Sequence, residues 1–350
     1  MNVCLMNPVY WPEVRRGSER FARELADGLI ARGHAPTLIC GHAGWFGDTD
    51  EDGLRVLRVP RLPEGRLERR GFERHLTHVP FAVRALRGVD AAVVHALYAP
   101  DAAGAARTGR PLVFSYMGIP HRTALVARRK RLELTLEAVR GAGATVVLSR
   151  AARDAFVRWL GVEAHVIAPG VDLDAFSPDP SALALDPTIV CSADPNEPRK
   201  QVALLVEAFG IVRRSEPRAR LILDRRWTGG GEGIEARDLD DRAALAAANR
   251  EAWVAALPSW GEAFGLVLLE ALACGTPVVG ATGSLDAPDA IARPFDGDDP
   301  EVLARALLEG FELARDPGTA AAGRAHAERF SWDATVDAYL GVYDELLSAG

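Results

Sequence analysis

Short apolar runs alternate with helix-period segments along this chain; the alternation stops at one proline-rich stretch and then starts again. That rhythm constrains the fold more than any other feature. Val3-Cys4-Leu5-Met6 reads as a first buried strand. Ser18 can cap a helix that sets Phe21, Leu25 and Leu29 on one face, and Gly33 stops it. Further strands are expected at Thr37–Cys40, Leu54–Val59, Ala91–His95, Leu112–Ser115 and Thr145–Leu148, with helices at 77–87 and 123–140. Strands that alternate with helices argue for a parallel sheet covered on both faces.

The stretch from Ala168-Pro169-Gly170 through Pro178, Pro180 and Pro187 reads as a linker. Beyond it strands are expected at Thr188–Cys191, Ala219–Leu223, Ile234–Ala236, Ala252–Leu257 and Pro277–Gly280. Helices are expected at Lys200–Arg213, about 240–250 and 265–273, then from about 300 to the end, closing with Trp332–Leu347. Two consecutive α/β units make a two-domain protein, and ligands of such sheets lie beyond the carboxyl ends of the strands. A length of 350 residues is enough for two sizeable cores.

Charge divides along the same line. Residues 1–150 hold 23 Lys+Arg against 15 Asp+Glu, a net of +8, and the remainder holds 18 against 33, a net of −15. A basic half can meet an anionic acceptor or, peripherally, the acidic inner face of a membrane. Nucleic acid is not an expected partner, since no aromatic-interleaved basic stripe or known binding motif is present. No apolar run reaches the length of a membrane span, and no charged segment followed by an apolar one opens the chain, so no signal peptide is expected. Cys4, Cys40, Cys191 and Cys274 are scattered through apolar stretches, which fits buried thiols in a reducing cytoplasm. Of 41 basic residues only Lys130 and Lys200 are lysines. Lys130, among arginines, is expected on a solvated helix face. Lys200 is expected to open a helix, where a cation opposes the dipole unless an anion binds there.

The stretch 258–280 carries the chemistry. Glu262 and Glu270 stand eight positions apart, with Gly265 breaking the chain before an apolar helix. First-turn N–H groups at Leu266 and Val267 can face a phosphate. Carboxylates repel a phosphate but suit the hydroxyls of a ribose or hexose, so the pattern suggests a nucleotide sugar.

Glu262-Ala263-Phe264-Gly265 through Glu270 to Val279 resembles the E-x7-E block of retaining glycosyltransferases of family 4 almost residue for residue. Val166–Phe176 resembles that family's interdomain segment, Pro12–Ser18 its first glycine-containing loop, and Ser331-Trp332-Asp333 the start of its last helix. The resemblance implies the GT-B fold: two Rossmann-like doubly wound α/β domains facing a cleft. Residues 1–168 would bind the acceptor and 169–330 the nucleotide sugar, while 331–350 form a C-terminal helix crossing back to the N-terminal domain. It implies that Glu262 bonds donor-sugar hydroxyls and that Phe264, Gly265, Leu266 and Val267 offer backbone N–H groups to the sugar and diphosphate. Glu270 would hold the ribose. Arg199 and Lys200 fall where the family neutralises the diphosphate, and Gly17, between Arg16 and Ser18, approaches the donor phosphate or acceptor. Gly118 and His121 fall on the acceptor side, in the loop where the family often has a His before the Gly; here Met117 stands there. The family's arginine a few residues before the lysine is also missing from 194–198, leaving Arg199, Arg225 or Arg226 to substitute. The implied activity is transfer of a sugar from a UDP- or GDP-sugar to a carbohydrate, lipid-linked or small-molecule hydroxyl, without metal or cofactor. A non-catalytic nucleotide-sugar-binding partner subunit and an epimerase on the same fold are the rival readings.

Overall fold

The computed structural model describes residues 1–11, 17–283 and 286–349. Arg16 and most of the first loop, Pro12–Ser18, lie outside the described residues. The chain forms two compact units, Met1–Pro169 with Trp332–Gly350, and Gly170–Ser331.

The first unit is built on eight strands: β1 (Asn2–Asn7), β2 (Ala35–His42), β3 (Gly47–Glu51), β4 (Leu54–Pro60), β5 (Val93–Ala96), β6 (Leu112–Tyr116), β7 (Ala144–Val147) and β8 (His165–Val166). Their order is β3-β4-β2-β1-β5-β6-β7-β8, all parallel except the β3–β4 pair. Successive residues of β1 serve opposite cores. Val3 and Leu5 pack with Phe21, Leu25, Leu29 and Tyr339, whereas Cys4 and Met6 pack with Leu86, Phe114 and Phe156. Burial on both faces is why the strand is apolar without alternation.

The C-terminal helix Trp332–Ser348 belongs to this unit and lies against the helix Gly17–Ala31. Two glycines let it approach. A Cβ on Gly28 would stand 2.4 Å from Val336 Cγ2, and one on Gly143 would stand 2.2 Å from Leu346 Cδ1. Beneath the helix, His95 on β5 is completely buried. Its Nδ1 lies 2.7 Å from the Tyr343 hydroxyl and its Nε2 lies 2.7 Å from Ser115 Oγ, which reaches Tyr339 at 3.0 Å. Burial alone pushes the imidazole down to about 3. His95 is therefore a satisfied core residue.

The second unit has six parallel strands: β9 (Thr188–Cys191), β10 (Arg220–Asp224), β11 (Ile234–Arg237), β12 (Val254–Leu257), β13 (Val278–Ala281) and β14 (Ala292–Phe295). The order β11-β10-β9-β12-β13-β14 is that of a doubly wound nucleotide-binding sheet, and the winding reverses between β9 and β12.

Several expectations need correction. The helix expected at 123–140 is two, Arg122–Val126 and Arg131–Gly141. Lys130 stands between them at φ 72°, paired with Glu133, rather than on a helix face. Ser18 does not cap its helix but lies within it, its hydroxyl donating to Glu19. The proline-rich linker is pinned along its first half. Phe176 is fully buried, and Arg250 and Arg324 donate to carbonyls of Leu173, Ala175, Phe176 and Ser177. All four cysteines are free and buried, and burial pushes the thiols of Cys4 and Cys274 up to about 12 and that of Cys191 to about 11. No helix among the described residues is long and apolar enough to cross a membrane.

Candidate active site

Because β9 and β12 are neighbours with connections leaving to opposite faces, the loops at their carboxyl ends part and leave a crevice. The loop after β9 ends in a single 3₁₀ turn, Pro198–Lys200, and only then does the helix Val202–Ser215 begin. Lys200 is thus not in the first turn of that helix, as expected, but one residue before its N-cap. The loop after β12 carries Glu262 to the same place. Lys200 Nζ lies 2.5 Å and Arg199 Nη1 lies 3.0 Å from Glu262 Oε1.

Glu262 is mostly buried, which raises its carboxyl, but Lys200 first and Arg199 second more than offset this and hold it below the usual range. The group is an anion wedged between two cations, and Arg199 also pairs with Glu197 Oε2 at 3.6 Å, so the four groups together carry no net charge.

Gln201 fastens the two loops and was not anticipated from sequence. Its backbone sits at φ 49°, which turns the chain sharply between Lys200 and the helix. With its amide nitrogen turned toward Pro258, it donates to the Pro258 carbonyl at 2.8 Å and accepts from Trp260 Nε1 at 3.3 Å. The Trp260 amide donates to the Arg199 carbonyl at 3.2 Å. A polar residue after a basic pair was the only sequence signal available for this brace.

Four residues beyond Glu262 the helix Leu266–Ala273 starts. Gly265, its N-cap, has φ 67°, a conformation that suits glycine, and no side chain caps the helix. The first-turn amides of Leu266 and Val267 have no intrahelical acceptor, so the positive end of the dipole is open to an anion. Phe264 is buried with its ring edge-on to Phe330, their centroids 5.4 Å apart, which leaves its backbone as the part able to meet a ligand. Glu270, the fifth residue of the helix, is 1% exposed.

Arg225 and Arg226 pair with carboxylates other than Glu262. Arg226 is held by Asp224, Asp240 and Asp194, and Arg225 by Asp238 and Asp240. Their charge is spent on carboxylates at the ends of β9, β10 and β11, leaving Arg199 as the second cation beside Glu262.

Profiles of known families span most of the sequence. The one described as Glycosyltransferase Family 4 matches residues 15–175, and the one described as Glycosyl transferases group 1 matches 186–312. The chain belongs to glycosyltransferase family 4. A D-inositol 3-phosphate glycosyltransferase of Segniliparus rotundus is 36% identical over 53% of this chain and 47% of its own length. The chain thus spans about half the length of such relatives. A phosphatidyl-myo-inositol mannosyltransferase of Mycobacterium tuberculosis is 28% identical over 100% of this chain and 98% of its own. The sucrose-phosphate synthase of Thermosynechococcus elongatus superposes with a TM-score of 0.84 at 20% identity, covering 100% of both chains. That likeness carries the GT-B fold alone.

The acceptor-side positions suggested by the resemblance follow β1 and β6 of the first sheet. Gly17 begins the helix Gly17–Ala31, and Ser18 follows inside it. His121 is exposed, 2.8 Å from Thr123 Oγ1, with its ring edge-on to Trp159. Gly118 lies beyond β6 in the wall of a cavity.

Proposed function

We propose that this chain transfers a glycosyl group from a nucleoside diphosphate sugar, a UDP- or GDP-sugar, to a hydroxyl acceptor, with retention at the anomeric carbon and no metal ion. The observation that carries this reading is the junction of Lys200, Arg199 and Glu262 where the second sheet reverses its winding. A diphosphate arriving there competes for both cations and meets the open amides of Leu266 and Val267. Glu262, partly released, can then accept from hydroxyls of the donor sugar. The resting ion cluster stores the site in a folded, neutralised form, and the substrate replaces one anion by another.

In the transfer, the acceptor oxygen bonds to the anomeric carbon as the bond from that carbon to the diphosphate oxygen breaks. The acceptor proton passes to the departing phosphate. Lys200, Arg199 and the helix N-terminus stabilise the negative charge that develops on it, the kind of preorganised electrostatics that contributes most to many enzymes. No protein base is required, which accords with His95 being closed in a core and His121 being tied to Thr123. Glu270 holds the ribose in this reading, and Gly17 with Arg16 and Ser18 serves the donor phosphate or acceptor. The acceptor is a carbohydrate, lipid-linked or small-molecule alcohol. The basic first 150 residues, with Trp45 and Phe46 exposed between β2 and β3, would meet an anionic membrane peripherally.

A panel of nucleotide sugars, assayed for hydrolysis and transfer with and without a chelator, tests the proposal. Turnover of one UDP- or GDP-sugar that survives chelation is expected. Binding without turnover for every donor and acceptor would refute it.

A further inference from the structure

The first unit contains a cavity of about 240 Å³ beyond the carboxyl ends of β5 and β6, between the residues after those strands and the start of the helix Arg131–Gly141. Its lining is largely apolar, including Leu97, Met117 and Leu134. Among the described residues two charged ones reach it, Glu73 and Arg131, and they are bound to each other. Arg131 Nη2 donates to Glu73 Oε1 at 2.9 Å, Nε donates to Oε2, and Nη1 is taken by the Ala124 carbonyl at 2.9 Å. The Glu73 side chain is only 7% exposed. The one cation of the wall is therefore neutralised by a buried carboxylate, and an entering phosphate would face that carboxylate in a poorly screened setting. The helix Ala99–Ala106 also opens at the cavity, but Asp101 in its first turn already answers its dipole.

The hydroxyls are mostly committed as well. Tyr98 donates to the Arg74 carbonyl, and Thr135 to the Arg131 carbonyl. Tyr116 differs. Its ring is fixed edge-on between Phe114 and Phe156, at centroid distances of 6.1 and 5.1 Å, while its hydroxyl has no hydrogen-bond partner among the described residues.

We infer that this cavity recognises an uncharged, largely apolar group bearing a hydroxyl, with Tyr116 as its polar contact, and that the Glu73–Arg131 pair excludes phosphorylated ligands. This rests on the reading above that the first unit receives the acceptor, and it narrows the acceptor class. It would set the chain apart from the relatives named for inositol 3-phosphate.

The test is calorimetric binding of 4-nitrophenyl β-glucoside and of its 6-phosphate to the full chain without donor. The uncharged glycoside should bind at least about tenfold more tightly than the phosphate. Tyr116→Phe should weaken the glycoside about threefold to tenfold, the range of a single neutral hydrogen bond. Glu73→Gln should bring the phosphate to within about threefold of the glycoside. Equal or tighter binding of the phosphate by the wild type, or no binding of the glycoside, overturns the inference. If Glu73→Gln does not fold, the wild-type pair and Tyr116→Phe still decide. Donor turnover is measured separately, so loss of the glycosyltransferase reading and loss of this one give different results.

Discussion

His95 should make the first unit acid-sensitive, and the size of the effect follows from its surroundings. Among the described residues the imidazole's hydrogen-bond partners are the hydroxyls of Tyr343 and Ser115, with the Tyr339 ring 4.9 Å away, and no carboxylate is paired with it to offset a positive charge. Its folded value near 3 lies below its ordinary 6.5. The unfolded chain therefore binds the extra proton first as pH falls, and stability drops between 6.5 and 3 while being complete above 6.5. Each unit of pH in that window costs about 1.4 kcal/mol, or about 2 kcal/mol at pH 5. In His95→Gln the amide can keep a donor and an acceptor but no longer titrates. Hydrogen exchange of the amides in Trp332–Ser348, compared between wild type and variant at the same pH, removes the intrinsic pH dependence of exchange. The advantage of the wild type should shrink by about 2 kcal/mol, roughly 30-fold in protection, from pH 7.5 to 5. A pH-independent difference would refute the reasoning, because His95 would then not be held neutral by burial.

Four further outcomes are expected. Lys200→Ala should lower turnover about 100-fold; because burial then weighs more on Glu262, the acid limb of the residual pH–rate profile should move to higher pH. Glu270→Gln and Glu270→Ala should weaken UDP or GDP binding by about 1–3 kcal/mol by calorimetry; unchanged affinity would remove the ribose role. Gly265→Ala places a Cβ at φ 67° and should cost about 1–2 kcal/mol, seen as a fall of several degrees in the thermal transition. Vesicles rich in anionic lipid should sediment the protein more than neutral ones, and Trp45→Ala should reduce that binding; equal sedimentation by both compositions would dispose of the membrane contact.

Where a strand is apolar on both faces, the sequence announces it, and Thr188–Cys191 matches to the residue. Where the sheet ends, it does not. β3 is Gly-Asp-Thr-Asp-Glu, an antiparallel edge whose charges suit an unpaired side, and β14 carries a proline that only an edge readily tolerates. The helix Ala99–Ala106 escapes notice because nearly every residue is buried, so it has no polar face to set a period. The arginine-rich run that includes Lys130 concealed a left-handed break. At the site, the helix start after Gly265 was legible because its signals are local. The meeting of Lys200 with Glu262, 62 positions apart, was implied by the family resemblance alone, since it depends on β9 and β12 being neighbours. That of Glu73 with Arg131, 58 positions apart, was not legible.

The first unit is discontinuous. Its sheet is complete by β8, yet the helix that covers Phe21 and His95 arrives only after the whole of Gly170–Ser331. On a ribosome the order of maturation should therefore run against the usual N-terminal-first rule. Gly170–Ser331 can finish while the earlier-made sheet still waits with the apolar side of Gly17–Ala31 uncovered. A chain halted before Trp332 would present that side to chaperones, and the helix Trp332–Ser348 would act as the seal on a sheet made long before it.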